Sequence, residues 1–127
     1  MSPSRPLRVM LVEDHAAFRQ ALAFLLTNEP DLEVVAQAGS LAEAREALAE
    51  EGLDVAVLDL ALPDGDGSDL IVELRRRNPG VSVVVLSAAM GPGVLDEAVE
   101  AGADAVLDKI ESLPTIAYEV RRLGGSG

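Results

Sequence analysis

Short, nearly continuous apolar runs alternate along the chain with longer segments in which apolar residues recur at three- and four-residue spacing. The short runs are rich in β-branched residues and typical of strands covered on both faces, whereas the longer segments are typical of amphipathic helices. The pattern predicts strands over residues 7–13, 32–38, 55–60, 81–87 and 104–107. It predicts helices over residues 16–28, 40–52, 68–78, 94–102 and 114–123.

Residues that begin helices agree with this division. Ser40 and Glu43 form a capping-box pattern, Ser68 is predicted to cap the third helix, and Pro114 fits a first helical turn. Strict alternation through short connections favours right-handed crossovers and a parallel sheet. We therefore predict an α/β fold, a doubly wound (βα)5 flavodoxin-like three-layer sandwich whose parallel five-stranded sheet has the order 2-1-3-4-5.

The 127 residues have the size of one domain. We predict an N-terminal extension over residues 1–6, the domain over 7–123, and a flexible tail over 124–127 that suits a shortened linker or a cloning remnant. The absence of cysteine excludes disulfides and thiolate metal sites. Because no apolar run is long enough for a bilayer and the N-terminus lacks a signal-peptide core, we expect a cytoplasmic protein without membrane contact.

The net charge of −12 argues against direct nucleic-acid binding by this segment, because that affinity comes from Lys and Arg on the phosphate backbone. The one basic cluster, Arg75-Arg76-Arg77, falls at the end of a predicted helix. Cations complement the helix dipole there, so we expect a solvated helix end rather than a binding patch.

Polar side chains follow four of the five predicted strands. Glu13 and Asp14 end the first strand, Asp59 the third and Ser87 the fourth, and the fifth runs into Lys109, the only lysine. Open α/β sheets bind ligands at the carboxyl ends of their strands, so we expect these groups to lie together. Three neighbouring carboxylates repel one another, and Mg²⁺ would compensate their charge. From these residues alone, Asp59 is compatible with a turn cap, a metal ligand or a nucleophile toward phosphorus.

Four motifs in this order resemble one known family. They are ED at 13–14, DLALPDGDG at 59–67, LSA at 86–88 and GADAVLDK at 102–109. Together they resemble the receiver domain of bacterial two-component response regulators, the CheY-like superfamily, over nearly the whole chain. The segments LVEDHAAFRQAL and DLEVVAQAGS are most similar to receivers of the LuxR/NarL type.

The resemblance implies that Asp59 accepts a phosphoryl group from a sensor histidine kinase. It implies that Glu13, Asp14, Asp59 and a backbone carbonyl, of Leu60 or Ala61, hold Mg²⁺. It implies further that Ser87 moves toward the phosphoryl group and that Lys109 pairs with it. The chain would then be no metabolic enzyme, since its catalysis is limited to its own phosphorylation and autodephosphorylation. Its partners would be an output domain or protein, with transcriptional control and phosphorylation-dependent homodimerisation as the expected outcomes.

Three places depart from the family pattern. Val106 stands where the family usually has Tyr or Phe, which puts the usual coupling of the hydroxyl movement to a surface aromatic in question. Ile110 follows the lysine where proline is common. The Gly-Pro-Gly segment over residues 89–95 is expected to be a loop that either moves on activation or forms a stiff turn.

Other functions fit the sequence less well. A flavodoxin-like cofactor binder would need aromatics around its ligand, and a haloacid-dehalogenase-type phosphatase would need an acid where Ala61 stands. A phosphate-independent interaction scaffold is the main alternative, because of Val106. His15 is expected to be structural rather than a metal ligand, and Tyr118 to be an exposed partner contact.

Overall fold

Seven strands form in the computed structural model, which describes residues 5–49, 52–88, 92–109, 111 and 113–125. In chain order they are β1 (Leu7–Val12), β2 (Leu32–Ala38), β3 (Val55–Asp59), β4 (Ala61–Leu62), β5 (Gly65–Asp66), β6 (Ser82–Ser87) and β7 (Ala105–Asp108). The helices are α1 (Ala16–Thr27), α2 (Leu41–Ala47), α3 (Ser68–Arg77), α4 (Pro92–Ala101) and α5 (Leu113–Gly124). No helix among the described residues is long and apolar enough to cross a membrane.

The central sheet has the order β2-β1-β3-β6-β7, and all of its neighbouring strands are parallel. Without the hairpin β4-β5, strands β6 and β7 are the fourth and fifth strands, so this is the predicted order 2-1-3-4-5. That antiparallel hairpin lies within the acidic loop after β3 and was not predicted. The doubly wound prediction is therefore confirmed, and β1 and β3 lie side by side in the middle of the sheet.

Helices cover both faces of the sheet, because alternate strand residues point in opposite directions. On one face, Met10 and Val12 pack with buried residues of α2, α3 and α4. On the other face, Val9 and Leu11 pack with buried residues of α1 and α5. From the last helix, Ile116 and Val120 are both fully buried in this second layer. Two apolar layers thus hold the strand ends in a fixed relation.

Helix starts follow the predicted capping in part. Ser40 Oγ accepts a hydrogen bond from Glu43 N at 3.1 Å, while Glu43 Oε1 accepts one from Gly39 N at 2.7 Å. Ser68 was predicted to cap α3, but it is the first residue of that helix, and Gly67 is the N-cap. The carboxylate of Asp66 accepts the hydrogen bond from Ser68 N at 2.8 Å instead, because the hairpin brings that side chain to the helix start.

Several predicted boundaries were also wrong. Helix α2 ends at Ala47, well before residue 52. Helix α4 begins at Pro92, inside the predicted loop over 89–95, and residues 89–91 lie outside the described residues. Helix α5 runs from Leu113 to Gly124, one residue beyond the predicted helix at each end. Residues 1–4 of the predicted extension and residues 126–127 of the predicted tail lie outside the described part of the chain.

The basic cluster at the end of α3 is only partly a solvated helix end. Arg76 and Arg77 are exposed, but the guanidinium of Arg75 turns back onto the protein. It donates to Val81 O at 2.8 Å, to Gly102 O, and to Asp104 Oδ2 at 2.8 Å. Arg75 therefore joins α3, the end of α4 and the entry to β7, a role that the helix-dipole argument did not predict.

Candidate functional site

The pairing of β1 with β3 places three carboxylates at the carboxyl edge of the sheet. Among the described residues, Glu13, Asp14 and Asp59 each have a carboxylate oxygen within 4.8 Å of the other two. Glu13 and Asp59 are 3% and 8% exposed, whereas Asp14 is open to solvent. Clustered carboxylate oxygens are the ligands that Mg²⁺ prefers, so the chemistry of these donors fits the expected ion.

The single lysine compensates two of these charges. The ammonium of Lys109 forms an ion pair with Glu13 and lies 3.1 Å from Asp59 Oδ2. Burial disfavours the charged ammonium, but the hydrogen bonds and charges of Glu13 and Asp59 outweigh that effect and raise the pKa of Lys109. Lys109 is therefore a fixed cation at the centre of the site and not a solvated charge after a strand.

Backbone contacts orient Asp59. Its Oδ1 accepts a hydrogen bond from Ala61 N at 2.9 Å, so each of its oxygens has a donor. The following turn is closed by Gly67 N, which donates to Leu60 O at 2.8 Å. A Cβ on Gly67 would lie 3.0 Å from Asp59 O and 3.1 Å from the Cα of Leu60. A side chain at position 67 would therefore crowd the backbone of residues 59 and 60, where the loop leaves β3.

Ser87 lies beside Asp59 because of the strand register. Asp59 pairs with Leu86, so Ser87 is one residue further toward the edge, and Lys109 N donates to Ser87 O at 2.9 Å. A pocket of about 460 Å³ opens there. Its lining residues are Asp59, Leu60, Ala61, Gly65, Asp66, Ser87, Ala88 and Glu97. The pocket gives Asp59 and the predicted hydroxyl a common space for a ligand.

A pair of acids lines the outer part of this pocket. The carboxyl group of Glu97 on α4 shares a hydrogen bond with Asp66, and this contact and the charge of Asp66 raise the pKa of Glu97. Hydrogen bonding from Ser68 N and from its hydroxyl lowers the pKa of Asp66. The two carboxyl groups thus lie together beside the pocket, and the charge of Asp66 opposes ionisation of Glu97.

Asp64, in the same loop, has a structural role. Its two carboxylate oxygens accept hydrogen bonds from Leu41 N at 2.7 Å and Ala42 N at 3.0 Å. These backbone donors at the start of α2 lower the pKa of Asp64. Asp64 thus caps a helix whose first residue lies 23 positions earlier in the chain.

Two residues on α1 reach the site and were missed by the sequence analysis. Arg19 Nη1 donates to Glu13 O at 2.6 Å, and the ring of Phe18 has the Lys109 ammonium 5.2 Å from its centroid. By its spacing in the sequence, Phe18 belongs to the apolar face of the predicted helix. Its position one turn after the paired acids was the available signal, since that turn begins at the edge where the strands end.

The remaining sequence predictions fall outside the centre of the site. The His15 side chain is exposed, and its backbone N–H donates to Glu13 Oε2 at 3.0 Å. Val106 is half-buried against the core layer of α2, α3 and α4. Tyr118 is 60% exposed on α5, as predicted. Ile110 lies outside the described residues.

A doubly wound sheet with an acidic cluster, a hydroxyl and a lysine at the carboxyl ends of its central strands defines a class of phosphate-switched signalling domains. Residues 9–121 match the family model described as the response regulator receiver domain. This chain belongs to that family, whose members bind Mg²⁺ at such an acidic pocket.

Individual relatives agree with this assignment. The chain is 37% identical over 117 residues to the DNA-binding transcriptional activator DevR/DosR of Mycobacterium tuberculosis, an alignment covering 92% of this chain and 54% of that protein. The chain spans about half the length of the curated relatives it matches. These include transcriptional regulators.

Solved structures share the fold over nearly all of the chain. The signal receiver domain of the putative response regulator NarL from Mycobacterium tuberculosis superposes with a TM-score of 0.88 at 27% identity, covering 98% of this chain and 100% of that one. A chain from the complex of the CheA3 P1 domain with CheY6 from R. sphaeroides superposes with a TM-score of 0.81 at 29% identity, covering 97% and 100%.

Proposed function

We propose that this domain accepts a phosphoryl group on Asp59 from the phosphohistidine of a sensor kinase and thereby switches an output domain or protein partner. The observation that carries the proposal is the position of Asp59, oriented by Ala61 N and 3.1 Å from the Lys109 ammonium at the edge of an accessible pocket. A carboxylate held in this way is a nucleophile with a fixed direction of attack.

In the reaction, an Asp59 oxygen forms a bond to phosphorus while the bond from phosphorus to the donor's histidine nitrogen breaks, and the leaving imidazole takes up a proton. Lys109 stabilises charge on the transferred group, and the Ser87 hydroxyl donates a hydrogen bond to one of its oxygens. Glu13 and Asp14, with Asp59 and the Ala61 carbonyl, would hold Mg²⁺. When bound, that ion supplies charge neutralisation for the phosphoryl oxygens.

The choice of the Ala61 carbonyl rests on the neighbouring turn. Leu60 O already accepts a hydrogen bond from Gly67 N, which favours Ala61 as the backbone ligand of the two considered. Ala61 also lines the pocket and is itself exposed, at the start of the first strand of the hairpin.

The partners are proposed from relatives. A complex between the P1 domain of CheA3 and CheY6 supports a protein phosphodonor. DevR/DosR, described as a DNA-binding transcriptional activator, is about twice as long as the matched region. We therefore expect transcriptional output through a further segment or a separate protein, and homodimerisation on phosphorylation as one means of switching.

The test is incubation with acetyl phosphate and Mg²⁺, followed by intact-mass measurement. We expect a phosphoryl adduct on the wild-type chain that is lost with EDTA and in Asp59→Asn. Asp69→Asn, an exposed acid on α3, is the matched control and should keep the adduct. A folded wild-type protein without an adduct in the presence of Mg²⁺ would refute the phosphoacceptor role and favour the phosphate-independent scaffold.

A further inference from the structure

Among the described residues, the ammonium of Lys109 contacts two carboxylates and one uncharged group. Besides Glu13 and Asp59, it faces the ring of Phe18, with Nζ 5.2 Å from the ring centroid. Cations within about 6 Å of an aromatic centroid are attracted to the negative face of the ring. The contact is shielded as well, because the Lys109 side chain is only 17% exposed.

Phe18 is itself held in place. It lies in the first turn of α1, is half-buried, and packs against the apolar layer formed by α1, α5 and their side of the sheet. The same turn carries Arg19, which donates to Glu13 O at 2.6 Å and so ties the start of the helix to the end of β1. The ring therefore lies between the apolar layer and the ammonium, on a turn that is anchored to the end of β1.

We propose that Phe18 is a positioning residue for phosphoryl transfer, whose ring face holds the Lys109 ammonium toward Asp59. This inference rests on the proposed function and deepens it. The lysine side chain is flexible and carries a compact charge, so the direction in which its ammonium points depends on the groups around it. Glu13 cannot fix that direction alone, because the carboxylate that pairs with Lys109 is also one of the proposed metal ligands.

An aromatic ring suits this position for an electrostatic reason. It attracts the ammonium without adding a fourth negative charge to three clustered carboxylates, and it does not compete for the metal. Phe18 can thus keep its contact with Lys109 whether Glu13 faces the lysine or the ion. A simple core role for Phe18 would require only apolar volume, which leucine also supplies, and this difference makes the two roles separable.

The experiment uses the fact that Lys109 is the only lysine of the chain. Selective ¹³C and ¹⁵N labelling of lysine gives one side-chain spin system, and methylene protons over a ring face are shifted upfield. We would compare wild type, Phe18→Leu and Phe18→Tyr, with Phe24→Leu as the matched control. Phe24 is on the same helix but 73% exposed. The initial rate of adduct formation with acetyl phosphate and Mg²⁺ is measured for each protein.

We expect the upfield shift to be lost in Phe18→Leu, retained in Phe18→Tyr and unchanged in Phe24→Leu. The phosphorylation rate should fall about two- to fivefold in Phe18→Leu, the fold-change that matches a cation–π contact, and recover in Phe18→Tyr. Where Phe18→Leu is poorly folded, trifluorophenylalanine incorporated in the Phe24→Leu background keeps the ring shape and weakens its negative face. The same fall in rate is expected there.

A Lys109 shift that is the same in wild type and Phe18→Leu would overturn the proposal, as would a rate that fluorination leaves unchanged. A changed Lys109 chemical shift with an unchanged rate of phosphorylation would overturn the proposal too, since the contact would then not position Lys109 for phosphoryl transfer. Failure of the proposed function looks different. In that case no variant and no wild-type protein gains the adduct, while the Lys109 shift still reports whether the ring holds the ammonium.

Discussion

Lys109 Nζ lies 3.1 Å from Asp59 Oδ2, although the two residues are 50 positions apart in the sequence. The same ammonium also pairs with Glu13, so one cation neutralises acids from two adjacent strands. A metal ion at the acidic cluster would share these carboxylates with the lysine. Lys109 is thus the cation that pairs with these carboxylates in the metal-free state, and two cations would share them when the ion is bound.

Replacement of this lysine should reduce stability in a metal-dependent way. In Lys109→Met, two nearly buried carboxylates lose their cation, and we expect the free energy of unfolding to fall by about 2 kcal/mol at neutral pH without Mg²⁺. Added Mg²⁺ should restore more stability to the variant than to wild type, because no ammonium competes for the carboxylates. Urea unfolding with and without Mg²⁺ measures both effects.

An exposed ion pair provides the control for that experiment. Arg122 pairs with Glu119 on the surface of α5, and Arg122→Met should reduce stability far less than Lys109→Met, with no response to Mg²⁺ beyond that of wild type. Equal losses in the two variants would contradict the central role of Lys109.

The backbone of residues 59 and 60 lies close to Gly67, so one added methyl group at this position should reduce the stability of the protein. Gly67→Ala would place Cβ 3.0 Å from Asp59 O, an atom of a buried strand that cannot move freely. We expect a loss of about 1–3 kcal/mol and slower phosphorylation. Gly80→Ala is the matched change, because a Cβ there meets nothing within 4 Å, and it should be close to neutral. A stability of Gly67→Ala equal to that of Gly80→Ala would disprove the crowding.

Arg75 and Arg76, which are neighbours at the end of α3, should differ in how much they stabilise the protein. Arg75→Ala removes hydrogen bonds to Val81 O, Gly102 O and the carboxylate of Asp104, and we expect a loss of about 1–2 kcal/mol. Arg76→Ala changes an exposed side chain and should stay within about 0.5 kcal/mol of wild type. Denaturant unfolding of both variants measures these losses. Equal free energies of unfolding would show that the contacts of Arg75 do not stabilise the protein and that Arg75 is only a solvated helix-end charge.

The cap from Asp64 predicts a pH dependence of stability. Hydrogen bonds from Leu41 N and Ala42 N lower the pKa of Asp64 in the folded state. Its stabilising effect is therefore present above the unfolded pKa of about 3.9 and is lost as pH falls through the lower folded value. Asp64→Asn should be less stable than wild type at neutral pH, with a gap that narrows in acid.

Urea midpoints measured across the acid range check that prediction. Asp96→Asn, which also removes one exposed carboxylate from the protein, controls for the change of net charge. A gap between wild type and Asp64→Asn that is constant with pH would show that the cap does not act through its charge.

The contact of Glu97 with Asp66 predicts a pH dependence of stability opposite in sign to that of Asp64. Its contact with Asp66 raises the pKa of Glu97, so the stability that this group contributes is present below its unfolded pKa and is lost as pH rises through the folded value. Glu97→Gln supplies a donor that needs no proton. We expect a higher urea midpoint at neutral pH and phosphorylation about twofold faster, since a pocket-lining charge is removed.

Glu46→Gln, a change of an exposed residue on α2, serves as the control and should leave both values unchanged. A lower midpoint for Glu97→Gln, or a rate that follows Glu46→Gln, would contradict the acid pair.

Much of the fold could be predicted because it depends on neighbours in sequence. The apolar runs predicted every strand of the central sheet, and Ser40 with Glu43 predicted the start of α2. Predictions failed where a group distant in sequence intervened. Arg75 donates to Gly102 O and to Asp104 Oδ2 instead of pointing into solvent, and Asp64 caps a helix whose first residue lies 23 positions earlier. Patterns of neighbouring residues contain no information about such groups.

The sequence by itself determined the alternation of strands and helices, the residue types at the strand ends and the resemblance to receiver domains, because periodicity and motif order are properties of short segments. Only the tertiary structure decided that Lys109 joins Glu13 to Asp59, that Phe18 faces that lysine and that Arg75 binds Gly102 and Asp104. These contacts depend on strand register and on the packing of helices across the sheet. Both are set by apolar burial summed over the whole domain.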